Sequence, residues 1–268
     1  GPGFVNFRLH DTWLHEILSD VVTAGVDGFA RPDLGAGAKV NVEFVSANPT
    51  GPVHAGHGRG AAYGDSVARL LERCGHDVHR EFYINDRGVQ MELFGASLAA
   101  RKAGQEPTED GYQGEYIKEW AAEMPDGVDP VEWGEERAIA DQRTTLDRMN
   151  VTFDVWFSEK SMVESGAIET TLADLRERGV AFDEDGATWL RSTDFGDDKD
   201  RVLVKSDGQY TYLLPDIAYH RDKLARGFEL LIDVWGSDHH GYVPRMRAAL
   251  QALGHDPDRF EVPITQMV

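Results

Sequence analysis

Two histidines, His54 and His57, stand three residues apart where a loop rich in proline and glycine opens into a predicted helix. At a helix N-terminus, both side chains can face a phosphate beside the positive end of the helix dipole. Gly56 lies between them and has no Cβ, so a flat base or a ribose can approach the backbone there. This combination suits attack on the α-phosphate of ATP, whose transition state needs hydrogen-bond donors placed in advance.

Three other interpretations of these residues compete. In the first, His54 and His57 bind zinc together with His239 or His240, although no carboxylate or cysteine is suitably spaced. In the second, the loop is a structural glycine turn with incidental histidines. In the third, the chain binds a dinucleotide for hydride transfer, because the residues from Gly56 onward match G-x-G-x-x-A. That fingerprint should follow its strand at once, whereas Gly56 comes well after the end of the predicted strand.

The elements around this loop form a βαβ unit. A predicted strand, Lys39–Val45, precedes the loop, and apolar residues between positions 63 and 74 recur with the spacing of one helix face. Gly75 ends that helix, and Asp77–Ile84 alternates like a second strand. Strand, helix and strand in this order imply a right-handed parallel unit, which binds its ligands at the loop after the first strand.

The chain is mainly helical between residues 88 and 190, and we interpret this stretch as an insertion between two halves of a parallel sheet. Beyond it, Ser206-Asp207-Gly208 indicates a hairpin between two short strands. The other expected elements are a first helix with Asp11 or Thr12 as its N-cap, helices over 91–101, 116–124, 131–149, 161–178, 216–226 and 239–253, and strands over 202–205, 209–213, 230–235 and 261–268.

The charge and the cysteine content limit the possible functions. The chain has 27 basic and 47 acidic residues among 268, and its net charge of −20 argues against broad electrostatic capture of nucleic acid. Any contact with nucleic acid must therefore be local. The one cysteine fits a reducing cytoplasm, and we identify no secretory leader and no apolar run long enough to span a bilayer. We expect a cytoplasmic protein with no membrane partner.

Several further motifs accompany the histidine loop. They are Gly1-Pro2-Gly3-Phe4-Val5-Asn6-Phe7, Glu43, Ser46–His57, Tyr83-Ile84-Asn85-Asp86-x-Gly88-x-Gln90, Gly196–Arg201, Thr211-Tyr212-x-x-x-Asp216–His220 and Trp235–Tyr242. The loop resembles the HIGH signature of class I aminoacyl-tRNA synthetases, and the chain as a whole is similar to bacterial-type arginyl-tRNA synthetases. The HxGH pattern alone is weak, because nucleotidylyltransferases share it. The accompanying motifs make the resemblance specific.

This resemblance implies an α/β protein with a Rossmann-like, doubly wound parallel sheet and a mainly helical connective insertion. The implied divisions are the tail of an N-terminal domain at residues 1–30, the first half of the catalytic domain at 31–87, the connective insertion at 88–190 and the second half at 191–268. The implied reaction joins L-arginine to tRNA(Arg) through an arginyl-adenylate, with ATP and Mg²⁺ and with tRNA needed for the first step. The insertion would help to seat the acceptor end of the tRNA. We expect a monomer with no tightly bound protein metal and no DNA partner.

The resemblance also implies roles for single residues. His54 and His57 would be catalytic and bind the ATP phosphates, and Gly56 would lie under the adenosine. The residues implied to bind arginine are Ser46, Ala47, Asn48 and His57 for its amino and carboxylate groups, Tyr212 and Asp216 for its guanidinium, Glu43 in a supporting position, and His239 where the family often has a glutamine.

The chemistry of the residues supports the guanidinium pocket independently. A guanidinium pairs best with a planar carboxylate that accepts two parallel hydrogen bonds. Asp216 has an aromatic residue, Tyr212, four positions before it to flank the flat cation. The competing interpretation makes Asp216 the N-cap of a helix that begins at Ile217.

The chain departs from the family pattern in what it lacks. It has no K-x-S-K string, and residues 49–53 contain no lysine that could replace it. We therefore expect a catalytic-core piece of a longer enzyme, truncated before the KMSK loop and nearly inactive alone. Two alternatives are an amino-acid-activating paralogue that loads an acceptor other than tRNA, and a non-catalytic binding module that retains the fold.

Overall fold

The computed structural model describes residues 3–266, apart from the side chain of Asp238. Gly1 and Pro2 of the first motif, and the last two residues of the expected final strand, lie outside the described residues. The helices are α1 (Thr12–Gly28), α2 (Ala55–Arg73), α3 (Val89–Lys102), α4 (Glu115–Glu123), α5 (Pro130–Arg148), α6 (Glu159–Glu164), α7 (Ala167–Glu177), α8 (Leu213–Ala225) and α9 (Val243–Ala252). The strands are β1 (Lys39–Glu43), β2 (Asp77–Ile84), β3 (Val155–Ser158), β4 (Ala181–Glu184), β5 (Ala187–Leu190), β6 (Arg201–Val204), β7 (Leu230–Asp233), β8 (Trp235–Gly236), β9 (Phe260–Glu261) and β10 (Ile264–Thr265).

Five strands form a parallel sheet in the order β3-β2-β1-β7-β9. β1 is the middle strand, and its Glu43 is in register with Glu81 of β2 on one side and with Asp233 of β7 on the other. The chain therefore winds outward from β1 first in one direction and then in the other. This order confirms the predicted α/β fold with a doubly wound parallel sheet. Its direction changes between β1 and β7, and ligands bind such sheets outside the carboxyl ends of these strands.

Helices cover both faces of the sheet, and β1 is buried from Val40 to Glu43. On one face α2 packs against β1, and a Cβ at Gly64 would collide with the ring of Phe44, so only glycine allows this close approach. On the other face α8 and α9 pack against β7 through a core that includes Leu214, Leu231 and Leu250. The central strands are thus buried on both sides.

Helices α3, α4 and α5 form a bundle beside the sheet, and we call them the helical bundle. α3 contacts both of the other helices. The bundle has a core of its own, in which Phe94, Leu98, Ile117 and Trp120 are buried. The bundle therefore does not depend on the sheet for all of its apolar burial.

Four features differ from the expected elements. β3 lies within residues 88–190 yet pairs with β2, so this stretch is not one block outside the sheet. The expected helix over 161–178 is divided into α6 and α7 at Gly166, whose φ of 73° is left-handed. β4, β5 and β6 form an antiparallel sheet of which only β6 is anticipated. In place of the expected strand over 209–213, Tyr210 makes an isolated bridge and α8 begins early.

Candidate functional site

Two cavities lie side by side at the carboxyl ends of β1 and β7. The larger, about 540 Å³, is bordered by the start of α2, and the smaller, about 270 Å³, is bordered by α8 and by β8. Val45, Val234 and Gly236 line both cavities, so a molecule in one can touch a molecule in the other. A doubly wound sheet binds its ligands at this position.

The backbone turns sharply where β1 leads into the histidine loop. Val45 has a φ of 70° and Ser46 a φ of 43°, both in the left-handed region that residues with a Cβ rarely adopt. Such conformations cost on the order of 1–3 kcal/mol each, so surrounding contacts must hold them. The Ser46 hydroxyl donates to Oε1 of Glu43 at 2.9 Å and accepts the backbone N–H of Tyr83 at 3.1 Å. These bonds fix the turn at the wall that the two cavities share.

His54 and His57 cap the first turn of α2 through the same edge of each ring. Nδ1 of His54 accepts the N–H of Gly56 at 3.1 Å, and Nδ1 of His57 accepts the N–H of His54 at 3.2 Å. The two rings stack with their centroids 3.7 Å apart. Because each Nδ1 is an acceptor, the hydrogen of each neutral ring is on Nε2, which remains as a donor on the opposite edge.

His57 is neutral at physiological pH. Burial lowers the pKa of His57 to about 4, and the proximity of His54 acts in the same direction. His57 therefore offers the larger cavity an N–H dipole rather than a positive charge. Oriented N–H groups at a helix N-terminus are suited to a phosphate, and they require no reorganisation when charge develops on it.

The helical bundle holds the histidine loop from outside. The buried side chain of Gln142 on α5 donates to the backbone carbonyls of Asn48 and Gly51 at 2.9 and 3.0 Å. The hydroxyl of Tyr116 on α4 donates to the carbonyl of Thr50 at 2.9 Å. Three loop carbonyls are thus bonded to two helices of the bundle, which couples the position of the histidines to the bundle.

Asp216 supplies a carboxylate to the smaller cavity from the first turn of α8. The helix begins at Leu213, and the N–H of Asp216 donates to the carbonyl of Tyr212 at 3.2 Å. Asp216 is therefore inside the helix, and the interpretation that it caps a helix beginning at Ile217 is wrong. The hydroxyl of Tyr242 donates to Oδ2 of Asp216 at 2.5 Å. Burial raises the pKa of Asp216 to about 6, and the Tyr242 hydrogen bond acts in the opposite direction.

Tyr212 does not line the cavity of Asp216. It is the N-cap residue of α8 and is 88% exposed. It borders a third cavity, of about 410 Å³, together with Asn48 and Gln90. The four-residue spacing predicts a shared helix face, but the helix begins only after Tyr212, so that spacing does not apply. The aromatic residue that contacts Asp216 is Tyr242.

The predicted site residues are divided among these cavities. The larger cavity is lined by His54, Gly56 and His57, which are the predicted ATP-binding residues. The smaller cavity is lined by Glu43, Ser46, Asp216 and His239 of the predicted arginine-binding set. The remaining members of that set lie elsewhere: His57 at the larger cavity, Asn48 and Tyr212 at the third, and Ala47 in the hydrophobic core of α2 and β1.

Three residues that line the smaller cavity form, together with Lys223, a group that we call the buried charge cluster: Glu43, His220, Lys223 and Asp233. Nζ of Lys223 donates to Oε2 of Glu43 at 2.5 Å and to Oδ1 of Asp233 at 2.9 Å. Nε2 of His220 lies 2.8 Å from Oδ2 of Asp233. Burial acts to raise the pKa of Asp233, but the charges of Lys223 and His220 outweigh it and lower that pKa to about 2.

Sequence reasoning misses most of the residues around the smaller cavity. Tyr83, Trp235 and Tyr242 line it, and although they stand in the motifs given above, no role was predicted for them. Asp233 and Lys223 stand in no motif. Asp233 carries a usable signal, because it is a carboxylate in the short apolar strand predicted over 230–235, and ligands bind at the carboxyl ends of such strands. Lys223 carries none, since a lysine in a helix is usually solvated.

The zinc interpretation places His239 or His240 beside His54 and His57, and His239 can be placed relative to them by the cavity that it lines. The structure separates them, because His239 lines the smaller cavity and the other two line the larger. Among the described residues, no group of three or more His, Cys, Asp or Glu could hold a metal ion. In the same part of the chain, no helix is both long and apolar enough to cross a membrane.

Known proteins resemble this chain along its whole length. A family model described as "tRNA synthetases class I (R), catalytic domain" matches residues 20–119 and 126–267. Proteins named arginine–tRNA ligase from Bacillus pumilus and Geobacillus thermodenitrificans are 49% and 51% identical to the chain over 287 residues. Each alignment covers 100% of this chain and 51% of the relative, so the chain spans about half the length of these curated relatives.

Two solved structures have a similar fold. An arginyl-tRNA synthetase structure from Campylobacter jejuni matches with a TM-score of 0.86 at 36% identity, covering 97% of this chain and 61% of that one. The arginyl-tRNA synthetase of Thermus thermophilus matches with a TM-score of 0.75 at 20% identity, covering 97% and 52%. The second likeness shows the fold alone. Together with the sheet order, these matches confirm the predicted Rossmann-like fold class.

Proposed function

We propose that this chain, which belongs to the arginine family of class I tRNA synthetases, is the catalytic core of an arginine–tRNA ligase. The enzyme would activate L-arginine with ATP and pass the arginyl group to the terminal adenosine of tRNA(Arg). One observation carries the proposal: two cavities with different chemistry share the wall of Val45, Val234 and Gly236. One offers N–H donors to phosphates and the other offers a carboxylate to a cation, so the two substrates can meet at that wall.

In the proposed first step, a carboxylate oxygen of arginine attacks the α-phosphorus of ATP. The bond to the oxygen that bridges to the β-phosphate breaks, and pyrophosphate leaves. The Nε2–H groups of His54 and His57 are suited to the charge that develops on the phosphate oxygens. ATP is expected to bring Mg²⁺ on its phosphates, the usual arrangement in ATP sites. In the second step, a ribose hydroxyl of the tRNA attacks the carbonyl carbon of the adenylate and AMP leaves.

The choice of arginine is proposed to depend on Asp216. A guanidinium donates two parallel hydrogen bonds to a carboxylate, whereas the compact ammonium of lysine cannot match that geometry. Tyr242 orients the carboxylate through its hydroxyl. Glu43, Ser46 and His239 line the same cavity and would contact the rest of the amino acid.

Three further parts of the proposal concern the setting of the enzyme. The helical bundle, which already holds the histidine loop, would help to seat the acceptor end of the tRNA. The enzyme would work as a monomer in the cytoplasm. Size-exclusion chromatography with light scattering tests the monomer, and protection of the bundle by tRNA against hydrogen exchange tests the seating.

The direct test is exchange of labelled pyrophosphate into ATP by the full-length protein, with and without tRNA(Arg). We expect exchange that requires arginine and tRNA and that lysine does not support, followed by charging of the tRNA. Exchange that ignores the identity of the amino acid would exclude the function. Arginine-dependent exchange without charging of any tRNA would favour a paralogue with another acceptor.

A further inference from the structure

The buried charge cluster contains a cation to which the proposed chemistry assigns no role. Lys223 is fully buried on α8, and its Nζ bonds Glu43 and Asp233, two of the carboxylates that line the smaller cavity. Its Nζ also lies 4.4 Å from the ring centroid of Tyr219. An ammonium is costly to bury unless it is paired and hydrogen-bonded. The partners that make this burial possible, Glu43 and Asp233, line the candidate arginine site.

His220 is the second cation of the cluster. Its Nε2 faces Oδ2 of Asp233 at 2.8 Å, and its Nδ1 faces the backbone carbonyl of Asp216 at 2.7 Å. A carbonyl and an ionised carboxylate are both acceptors, so both ring nitrogens must carry hydrogen and the ring is positively charged. Burial acts to lower the pKa of His220, but Asp233 outweighs it and raises that pKa.

The three carboxylates of the smaller cavity therefore differ in how they are compensated. Glu43 pairs with Lys223, and Asp233 pairs with both Lys223 and His220. Among the residues that the structure describes, no cationic side chain forms an ion pair with the carboxylate of Asp216, whose side-chain partner is the neutral hydroxyl of Tyr242. One carboxylate of the three is thus left to meet an incoming cation.

On the basis of the proposed function, we propose that Lys223 is a positioning residue of the arginine site. It keeps Glu43 ionised and holds Oε2, so that Oε1 stays with Ser46 at the cavity wall and Asp216 remains the carboxylate open to the guanidinium. The guanidinium and ammonium groups of arginine carry donors and no acceptors. A protonated Glu43 would present a donor to these donors and oppose binding.

Several elements contribute charged or titratable groups that face Glu43. They are Lys223, His220, Tyr219 and Asp216 from α8, Asp233 from β7, and Tyr83 and Glu81 from β2. Burial raises the pKa of Glu43, and the ammonium of Lys223 is the largest influence in the opposite direction. Without Lys223, burial and Asp233 would act on Glu43 with less opposition, and the pKa of Glu43 would rise further.

The test is Lys223→Met in the full-length enzyme, with the arginine KM measured by pyrophosphate exchange at two pH values. We expect the arginine KM to be about tenfold higher than that of the unsubstituted enzyme near pH 7, and the increase to be smaller near pH 8.5, where a larger fraction of Glu43 is ionised. The ATP KM should not change at either pH. Lys205→Met, at an exposed lysine just after β6, is the matched control and should change neither constant.

A second variant removes the group that titrates. In Glu43→Gln combined with Lys223→Met, the arginine KM should be raised equally at both pH values. If the single variant Lys223→Met raised the arginine KM equally at both pH values, the proposal would be overturned. That result is expected if Lys223 only stabilises the fold.

If Lys223→Met does not fold, the pH dependence of the arginine KM of the unsubstituted enzyme tests the proposal instead. Its arginine KM must stay constant within about twofold between about pH 7 and pH 8.5, since one pKa unit corresponds to a tenfold change. A titration in that range would show that Glu43 is not held ionised and would overturn the proposal. Absence of arginine-dependent exchange in the unsubstituted enzyme would refute the proposed function instead.

Discussion

At the scale of single residues, the two histidines use opposite edges of their rings for different purposes. Nδ1 of His54 caps α2, and Nε2 is the donor that can reach a ligand. Asparagine is a good N-cap residue but has no donor where Nε2–H stands. A substitution can therefore remove the proposed catalytic contribution of His54 and keep the structural one.

We expect His54→Asn to slow adenylate formation about 100- to 1000-fold, because a lost donor to transition-state charge costs about 3–4 kcal/mol. Its free energy of unfolding should stay close to that of the unsubstituted enzyme. His54→Ala should lose the same rate and about 1 kcal/mol of stability as well, because it removes the cap. Single-turnover quench experiments and denaturant unfolding measure the two quantities. Adenylate formation at an unchanged rate in both variants would show that the Nε2 donor is not needed.

Asp216→Asn should raise the arginine KM by about two to three orders of magnitude, because breaking a buried, hydrogen-bonded ion pair costs about 3–5 kcal/mol. The ATP KM should barely move, since the phosphate donors line the other cavity. Asparagine can still accept the hydroxyl of Tyr242, which keeps the local geometry. Steady-state kinetics of the full-length enzyme give both constants. A change below about threefold in the arginine KM would return the specificity question to Glu43.

The same substitution should stabilise the protein without its ligands at alkaline pH. The pKa of Asp216 is raised from 3.8 to about 6, so its contribution to stability is full below about pH 4 and is lost as the pH rises through 6. An asparagine has no proton to lose. Thermal unfolding should therefore show Asp216→Asn more stable than the unsubstituted protein near pH 8, by up to about 3 kcal/mol, with the difference shrinking toward pH 4. A variant less stable at every pH would contradict this account.

The sequence predicts residue types at the site better than it predicts their partners. His54, His57 and Asp216 line the cavities that their chemistry suggests. Tyr212 does not, because the start of α8 sets the direction of its side chain, and a shift of a few residues in a helix start lies within what a sequence pattern leaves open. Tyr242 reaches Asp216 from 26 positions away, a contact that local spacing cannot reveal.

At the scale of elements, hydrogen bonds hold the histidine loop against the helical bundle. Gln142 donates to two carbonyls of the loop and is 1% exposed, so it cannot exchange these bonds for water. The loop leads directly into the first turn of α2, where both histidines stand. A change in the bundle should therefore reach the histidines without touching them.

We expect Gln142→Ala to lower the free energy of unfolding by about 1–3 kcal/mol, because two partly buried carbonyls lose their donor. It should also slow adenylate formation about tenfold or more, since a small misplacement of catalytic groups far from the mutation can cost up to about 100-fold. Gln251→Ala, at an exposed glutamine on α9, is the control and should change neither. Lost stability with an unchanged rate would mean that the loop holds its own position.

Element boundaries were predictable where local signals are strong. β2 has the predicted bounds, and β1 and α2 lie close to theirs, because alternation and apolar periodicity persist over many residues. β3 was not found, since four residues within a helical and charged stretch give no period to detect. Its place in the sheet depends on pairing with β2, which is more than 70 residues away. Pairing at that distance is decided by the tertiary fold and not by the local pattern.

At the scale of the whole molecule, the net charge of −20 limits how the chain meets nucleic acid. Residues 1–268 alone should bind tRNA(Arg) with a Kd weaker than about 1 µM, and raising the salt from about 50 to about 200 mM should weaken it further. Fluorescence anisotropy at the two salt concentrations measures this, with a tRNA of another specificity as the control. Tight binding that salt does not weaken would contradict the argument from charge.

The pairing of Glu43 with Lys223 has a consequence for how the protein is made. The two residues are 180 positions apart, and burying the charge of one is costly without the charge of the other. A ribosome adds about 5–20 residues per second, so roughly 10–40 s separate the synthesis of the carboxylate from that of its ammonium. During that interval β1 can pair with β2, but the other edge of β1, where β7 will later pair, must remain unpaired and exposed to water. The amino-terminal half of the sheet is thus completed by the arrival of α8 and β7, and cotranslational folding cannot finish before both have left the ribosome.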